Sequence, residues 1–168
     1  FLCFRNAEVD WSVYEVGLGG RLDATNVLRP KLCCITPIEL EHTEFLGDTL
    51  EKIAAEKAGI IKNCTPVIIA QQQKNSVKRV FSEKAFTRHA PCYFVEDLIK
   101  NASYSFDEKK KQMNVHFESE IFNRPIDTQM RMLGKTQIQN ATMAAIAVRK
   151  LLPNLDESII EKGLSKAQ

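Results

Sequence analysis

LCCITPIELEHTEFLGDTLEKIAAEKAGIIK, residues 32–62, carries the pattern on which the fold turns. It opens with the apolar run 32–38, which fits a strand buried on both faces. Polar residues follow, and Asp48-Thr49-Leu50-Glu51 then reads as a capping box opening a helix that runs to about Lys62. Leu50, Ile53, Ala54, Ala58 and Ile61 share one stripe of that helix, and Lys57 falls among them. A strand feeding an amphipathic helix is half of a βαβ unit.

The flanking text repeats the alternation. VDWSVYEV (9–16) has strand composition and ends in the break Gly17-Leu18-Gly19-Gly20. TPVIIA (65–70) is a third strand candidate, SVKRVFSEKAFTRH (76–89) a second helix, and APCYFVED (90–97) a fourth strand. Residues 104–119 alternate apolar and polar on both sides of a charged turn at 107–111, the signature of an antiparallel hairpin. From 133 to 152 a helix carries Ala141, Ala144, Ala145, Val148, Leu151 and Leu152 on one stripe and stops at Pro153. Asp156 caps a last short helix through Gly163. The expected class is α/β: a mostly parallel sheet flanked by helices, with a small antiparallel hairpin appended.

Composition bounds the function without naming it. The 168 residues are 44% hydrophobic and 26% charged, which fits one soluble globular domain and excludes disordered and fibrous classes. A net charge of +2 supplies no field to draw in nucleic acid. No apolar run approaches the ~18 residues that span a bilayer, so no membrane partner is expected. The five cysteines are odd in number and include no C-x-x-C pair, which reads as reduced thiols in a cytoplasmic protein. FLCFRNAEVD (1–10) is no signal peptide and lacks an initiator Met, as expected of a piece of something longer.

Three residues could carry chemistry. Glu15 falls in phase with Val9, Trp11 and Val13 at the carboxyl end of the first strand candidate, where open α/β sheets bind ligands. It is either a hard-cation ligand or a strand-end acid facing solvent. His42 lies just past the second candidate, as a ligand, an acid/base or a hydrogen-bonded loop histidine. Lys57 is either a snorkelling lysine or an amine held in a partly desolvated pocket with altered reactivity. Residues 17–26 lack G-x-G-x-x-G spacing and no G-x-x-x-x-G-K-[ST] loop occurs, so the stretch reads as a flexible turn next to Glu15 that lets backbone approach a ligand.

Taken together, EVGLGGRLDATNV (15–27), ITPIELEHTEFLGDTLEKIAAEKAGIIK (35–62) and LGKTQIQNATMAAIA (133–147) resemble the folylpolyglutamate synthase/dihydrofolate synthase family of the Mur ligase superfamily. The resemblance implies the P-loop-type central ATPase domain of an ATP-dependent amide ligase. It implies that Glu15 and His42 are Mg2+ ligands and that Lys57 is carbamylated by carbon dioxide to supply a further oxygen ligand. Asp23 and Ala24 would contact the pterin of the substrate, and Asn140 with Gln137 would line the adenine pocket. Glu41 stands where the family usually has Asp, and Thr136 where it often has His.

The implied reaction passes the γ-phosphoryl group of ATP to a carboxylate of dihydropteroate or a folate, and the amine of L-glutamate then displaces phosphate from the acyl phosphate. The family's phosphate loop is expected upstream of residue 1. Residues 163–168 resemble the text before the linker to a C-terminal domain. Residues 1–168 are thus expected to be a central domain cut at both ends, inactive alone and prone to self-association, from a monomeric parent. The alternatives are another Mur-type ligase or a non-catalytic nucleotide- or folate-binding module.

Overall fold

The computed structural model describes residues 1–72 and 74–167. Gln168, the last residue of the segment read as preceding a linker, lies outside the described residues. A parallel sheet forms from β1 (Cys33–Ile35), β2 (Val67–Ile69) and β3 (Cys92–Phe94), in that order. Cys33 pairs with Val67, and Val67 with Cys92. The middle strand is buried along its whole length, the expected fate of an apolar run covered on both faces. Its side chains divide with period two. Val67 and Ile69 join Ile53, Ala54, Ala58, Val77 and Phe81 in one core, whereas Ile68 joins Met143 and Ile146 in another.

The helices explain that division. Leading into the structure is α1 (Leu2–Asn6), and α2 (Thr43–Leu46) and α3 (Leu50–Lys57) follow β1. After β2 comes α4 (Asn75–Thr87), whose Val77, Phe81 and Ala85 pack on the α3 side. β3 runs through the turn α5 (Val95–Leu98) into β4 (Ile99–Asp107), β5 (Gln112–Ser119) and β6 (Ile126–Met130), an antiparallel sheet in that order. α6 (Lys135–Leu151) then lies between the two sheets: Met143 and Ile146 face Ile68, while Ile138, Ala141 and Ala145 face Phe117, Ile126 and Met130. α7 (Glu157–Lys166) closes the antiparallel side through Ile160.

The α/β class is as read from the sequence, and several local expectations change. The expected strand over 9–16 does not form. Residues 11–16 form neither helix nor turn and pair with no strand among the described residues, and Val13 is 91% exposed. Strand composition cannot substitute for a partner that takes up the backbone N–H and C=O groups. Thr49, rather than Asp48, caps α3, its hydroxyl accepting from the Lys52 N–H at 3.2 Å. α3 ends at Lys57 and tightens into a 3-10 turn, Ala58–Ile60, so the helix stops short of Lys62.

The fourth strand candidate keeps only three residues before α5 turns the chain. The hairpin gains a third strand, β6, which the sequence reading missed because Ile126 and Met130 alone mark its buried face. On α6 the buried set is Ile138, Ala141, Thr142, Met143, Ala145, Ile146 and Arg149, so Ala144 and Leu152 leave the expected stripe. α7 runs past Gly163 to Lys166, capped by Asp156 as expected.

Candidate active site

The loop from Gly17 to Asn26 is tied into a knot by one carboxylate. Asp23 Oδ2 accepts from the Gly17 N–H at 2.9 Å and the Leu18 N–H at 3.2 Å, and Oδ1 accepts from the Thr25 N–H at 2.8 Å and the Thr25 hydroxyl. Asp23 thereby caps the 3-10 turn Ala24–Val27. The Thr25 hydroxyl first, with the backbone donors of Thr25, Leu18 and Gly17, holds its carboxyl at about 2, because each of these bonds favours the ionised form. Ala24, the other residue matched to pterin contact, opens this turn and is exposed.

The same loop lies on the carboxyl end of α3. The Arg21 N–H donates to the Glu56 carbonyl at 2.9 Å, and the Arg21 guanidinium pairs with the Glu56 carboxylate at 3.1 Å. A Cβ on Gly20 would stand 2.9 Å from the Glu56 carbonyl oxygen and 3.0 Å from that of Lys57, and one on Gly59 only 2.4 Å from the Arg21 Cα. These glycines serve contact between two backbones, and the flexible turn expected over 17–26 is instead packed at Gly20 and Arg21 against α3. Asn26 Nδ2 donates to the carbonyls of Arg21 and Gly59, and Lys62 Nζ donates to the Asn26 carbonyl at 2.6 Å.

A second loop meets Lys57 from the other side. Lys57 is the last residue of α3, with its side chain 21% exposed, and its Nζ lies 2.9 Å from Glu41 Oε1. That ammonium holds the Glu41 carboxyl below the usual glutamate range. His42 follows in the left-handed region, φ 48°, where its carbonyl accepts from the Phe45 and Leu46 N–H groups and starts α2. A histidine is strained in that conformation, so the loop around it must hold it. Burial pushes the Cys33 thiol, at the start of β1, up to about 11.

The expected site residues therefore divide. Lys57, the Glu41–His42 loop and the loop that follows Glu15 converge on the carboxyl end of α3. Glu15 itself is exposed, two residues before the Gly17 N–H that Asp23 holds. Gln137 and Asn140 are half-buried on the first turns of α6, on the other face of β2 from α3, and no hydrogen bond or ion pair among the described residues joins them to Lys57. Among the described residues no group of three or more His, Cys, Asp or Glu side chains is arranged to hold a metal ion.

The donor set still fits a hard dication, since Mg2+ keeps several waters and takes one or two protein ligands beside substrate phosphates. Glu15 offers the hard oxygen donor such an ion takes and His42 would add an imidazole nitrogen, whereas the Lys57 ammonium would repel the ion. Sequence reasoning missed Glu41 as the partner of Lys57, the Arg21–Glu56 pair and the buried Gln72. An acid beside a histidine was a visible hint for Glu41. Arg21 and Glu56 meet across 35 positions and left no local trace.

Comparison with known proteins bears on the family and the fold. The model of the Mur ligase middle domain matches residues 1–148. The dihydrofolate synthase/folylpolyglutamate synthase of Bacillus subtilis is 33% identical over 95% of this chain and 37% of its own length. The dihydrofolate synthetase of Saccharomyces cerevisiae reaches 49% over half of this chain and 21% of its own length. The apo folylpolyglutamate synthase of L. casei superposes with a TM-score of 0.87 at 27% identity, covering 99% of this chain and 40% of that one. A folylpolyglutamate synthase complex with AMPPCP and folate superposes at 0.85 with 28% identity, over 97% of this chain and 40% of its own. The chain thus spans well under half the length of these relatives, and by sequence and fold it belongs to the Mur ligase middle-domain family, alongside the dihydrofolate and folylpolyglutamate synthases.

Proposed function

We propose that residues 1–168 serve as the central ATPase domain of a ligase that joins L-glutamate to dihydropteroate or to a folate. The observation that carries this reading is the convergence of two loops on Lys57, with Glu41 at 2.9 Å from its amine and the Gly20 backbone against its carbonyl. The relatives' complexes with AMPPCP and folate support a nucleotide and a folate as ligands. Loop 17–26 would seat the pterin through Asp23 and Ala24, and Gln137 and Asn140 would face the adenine.

Glu15 and His42 would hold Mg2+, joined by Lys57 once carbamylated. In that modification the Lys57 ammonium first gives up a proton, and the neutral amine then bonds the carbon of carbon dioxide and loses a second, so a cation becomes an anionic oxygen donor. Glu41 must give up the amine for this to happen. When bound, the ion would neutralise charge building on the phosphoryl oxygens during transfer. The γ-phosphoryl group goes to the substrate carboxylate with loss of ADP, and the glutamate amine then attacks that carbonyl and expels phosphate.

The five thiols are free, and among the described residues no helix is long and apolar enough to cross a membrane. A reducing, cytoplasmic setting fits the free thiols. The test is ATP hydrolysis that depends on both dihydropteroate and L-glutamate, measured on this chain and on the longest product of its gene. Activity in the longer protein alone is expected. Inactivity of both, with hydrolysis driven by a cell-wall precursor instead, would replace the folate reading with another Mur-type ligase.

A further inference from the structure

Gln72 follows the buried middle strand and is only 6% exposed, yet both ends of its side-chain amide have partners. Its Oε1 accepts from the Ile38 N–H at 3.1 Å, and its Nε2 donates to the Ala70 carbonyl at 2.7 Å. Those partners fix which end of the amide is which, since an N–H can only donate and a carbonyl can only accept. Its own backbone N–H donates to Glu96 Oε2 at 3.3 Å, and Glu96 in turn pairs with Lys78 of α4.

The residue is thus anchored by its backbone to α5 and by its Nε2 to Ala70 just past β2, and its Oε1 is spent on the loop between β1 and α2. Ile38 is the last buried residue of that loop, and Glu39, Leu40, Glu41 and His42 beyond it are exposed. His42 sits there at φ 48°. We infer that Gln72 is a positioning residue: its amide holds Ile38 so that Glu41 and His42 are presented to Lys57, and it touches no substrate itself. The inference rests on the proposed role of His42 and Lys57, and it adds a residue that the metal-ligand assignment does not include.

The test uses the 168-residue chain with Gln72→Met, which keeps the length and removes both polar functions, and Gln72→Glu, which keeps an acceptor for Ile38. Amide exchange at Ile38 is read relative to Phe117 in the antiparallel sheet, together with the His42 ring resonances and their broadening by Mn2+. In Gln72→Met, Ile38 exchange relative to Phe117 is expected to rise about tenfold, as loss of a buried hydrogen bond implies. The His42 ring signals should shift, and the Mn2+ needed to broaden them should rise severalfold. Gln72→Glu should retain most of the Ile38 protection.

Unchanged relative exchange and unchanged His42 signals in Gln72→Met would overturn the inference. A uniform rise at Ile38 and Phe117 alike would overturn it too, because it marks a general loss of stability. A wild-type chain whose His42 ignores Mn2+ would sink the metal reading alone, and Ile38 exchange with the His42 shifts would still decide the role of Gln72.

Discussion

Lys57 is a cation at the end of an amphipathic helix, held at 2.9 Å by Glu41. Replacing it by Ala in the longest product of the gene should abolish folate-dependent ATP turnover, while the far-UV circular dichroism stays near wild type. Turnover within a few-fold of wild type would remove Lys57 from the mechanism. Asp23 tests the loop in another way. Its folded pKa, about 2, lies below the ~3.9 of an unfolded aspartate, so its contribution to stability is fully present above about pH 4. That contribution is lost as pH falls from there toward 2. Urea denaturation at pH 5 and at pH 2.5 should show a smaller loss on acidification for Asp23→Asn than for wild type. Equal losses would mean that the hydrogen bonds from Gly17, Leu18 and Thr25 are not kept in solution.

Among the elements, α6 and α7 are joined by a buried charge pair. Arg149, 6% exposed, donates to the Glu157 carboxylate and to the Pro153 carbonyl, while Glu157 also accepts from the Asn123 N–H at 2.9 Å. A buried pair adds little over an apolar replacement, but removing one partner strands the other charge. Glu157→Ala should therefore cost about 3 kcal/mol in urea unfolding, whereas Arg149→Met with Glu157→Leu together should cost clearly less than the sum of the two single changes. Additive costs would show that the pair is solvated. The helix carrying Arg149 was legible in the sequence, but the burial of Arg149 was not. An arginine near the end of a helix reads as a surface cation until the following helix folds back with a carboxylate.

At the scale of the whole molecule, the exposed apolar side chains gather toward the amino terminus. Val9 and Trp11 are 43% and 55% exposed, beside Val13 on a stretch that pairs with no strand among the described residues. Phe1 and Phe4 pack edge-on against Tyr14 at 5.0 and 5.4 Å, which covers only part of that surface. An unpaired segment with exposed apolar side chains invites association. The isolated chain is expected to show mass rising with concentration in sedimentation equilibrium. Trp11 is the single tryptophan, so its emission should move to the blue along the same series. A monomer with constant, red-shifted emission would refute this.

Periodicity by itself determined what depends on neighbours a few residues apart: the buried run of β2, the stripe of α3 with Lys57 in it, the Asp156 cap, the hairpin turn and the α/β class. The ordered motifs at 15–27 and 35–62 further determined the family, because so long a match leaves few alternatives. Only the tertiary structure decided that Gly20 and Gly59 serve a backbone-to-backbone approach, that Glu41 holds Lys57, and that Gln72 reaches Ile38. It also decided that 9–16, strand-like in composition, stays unpaired. The physical reason is common to all four. Each depends on a partner 15 or more positions away, or on its absence, and no spacing rule within a helix turn or a strand pleat encodes that.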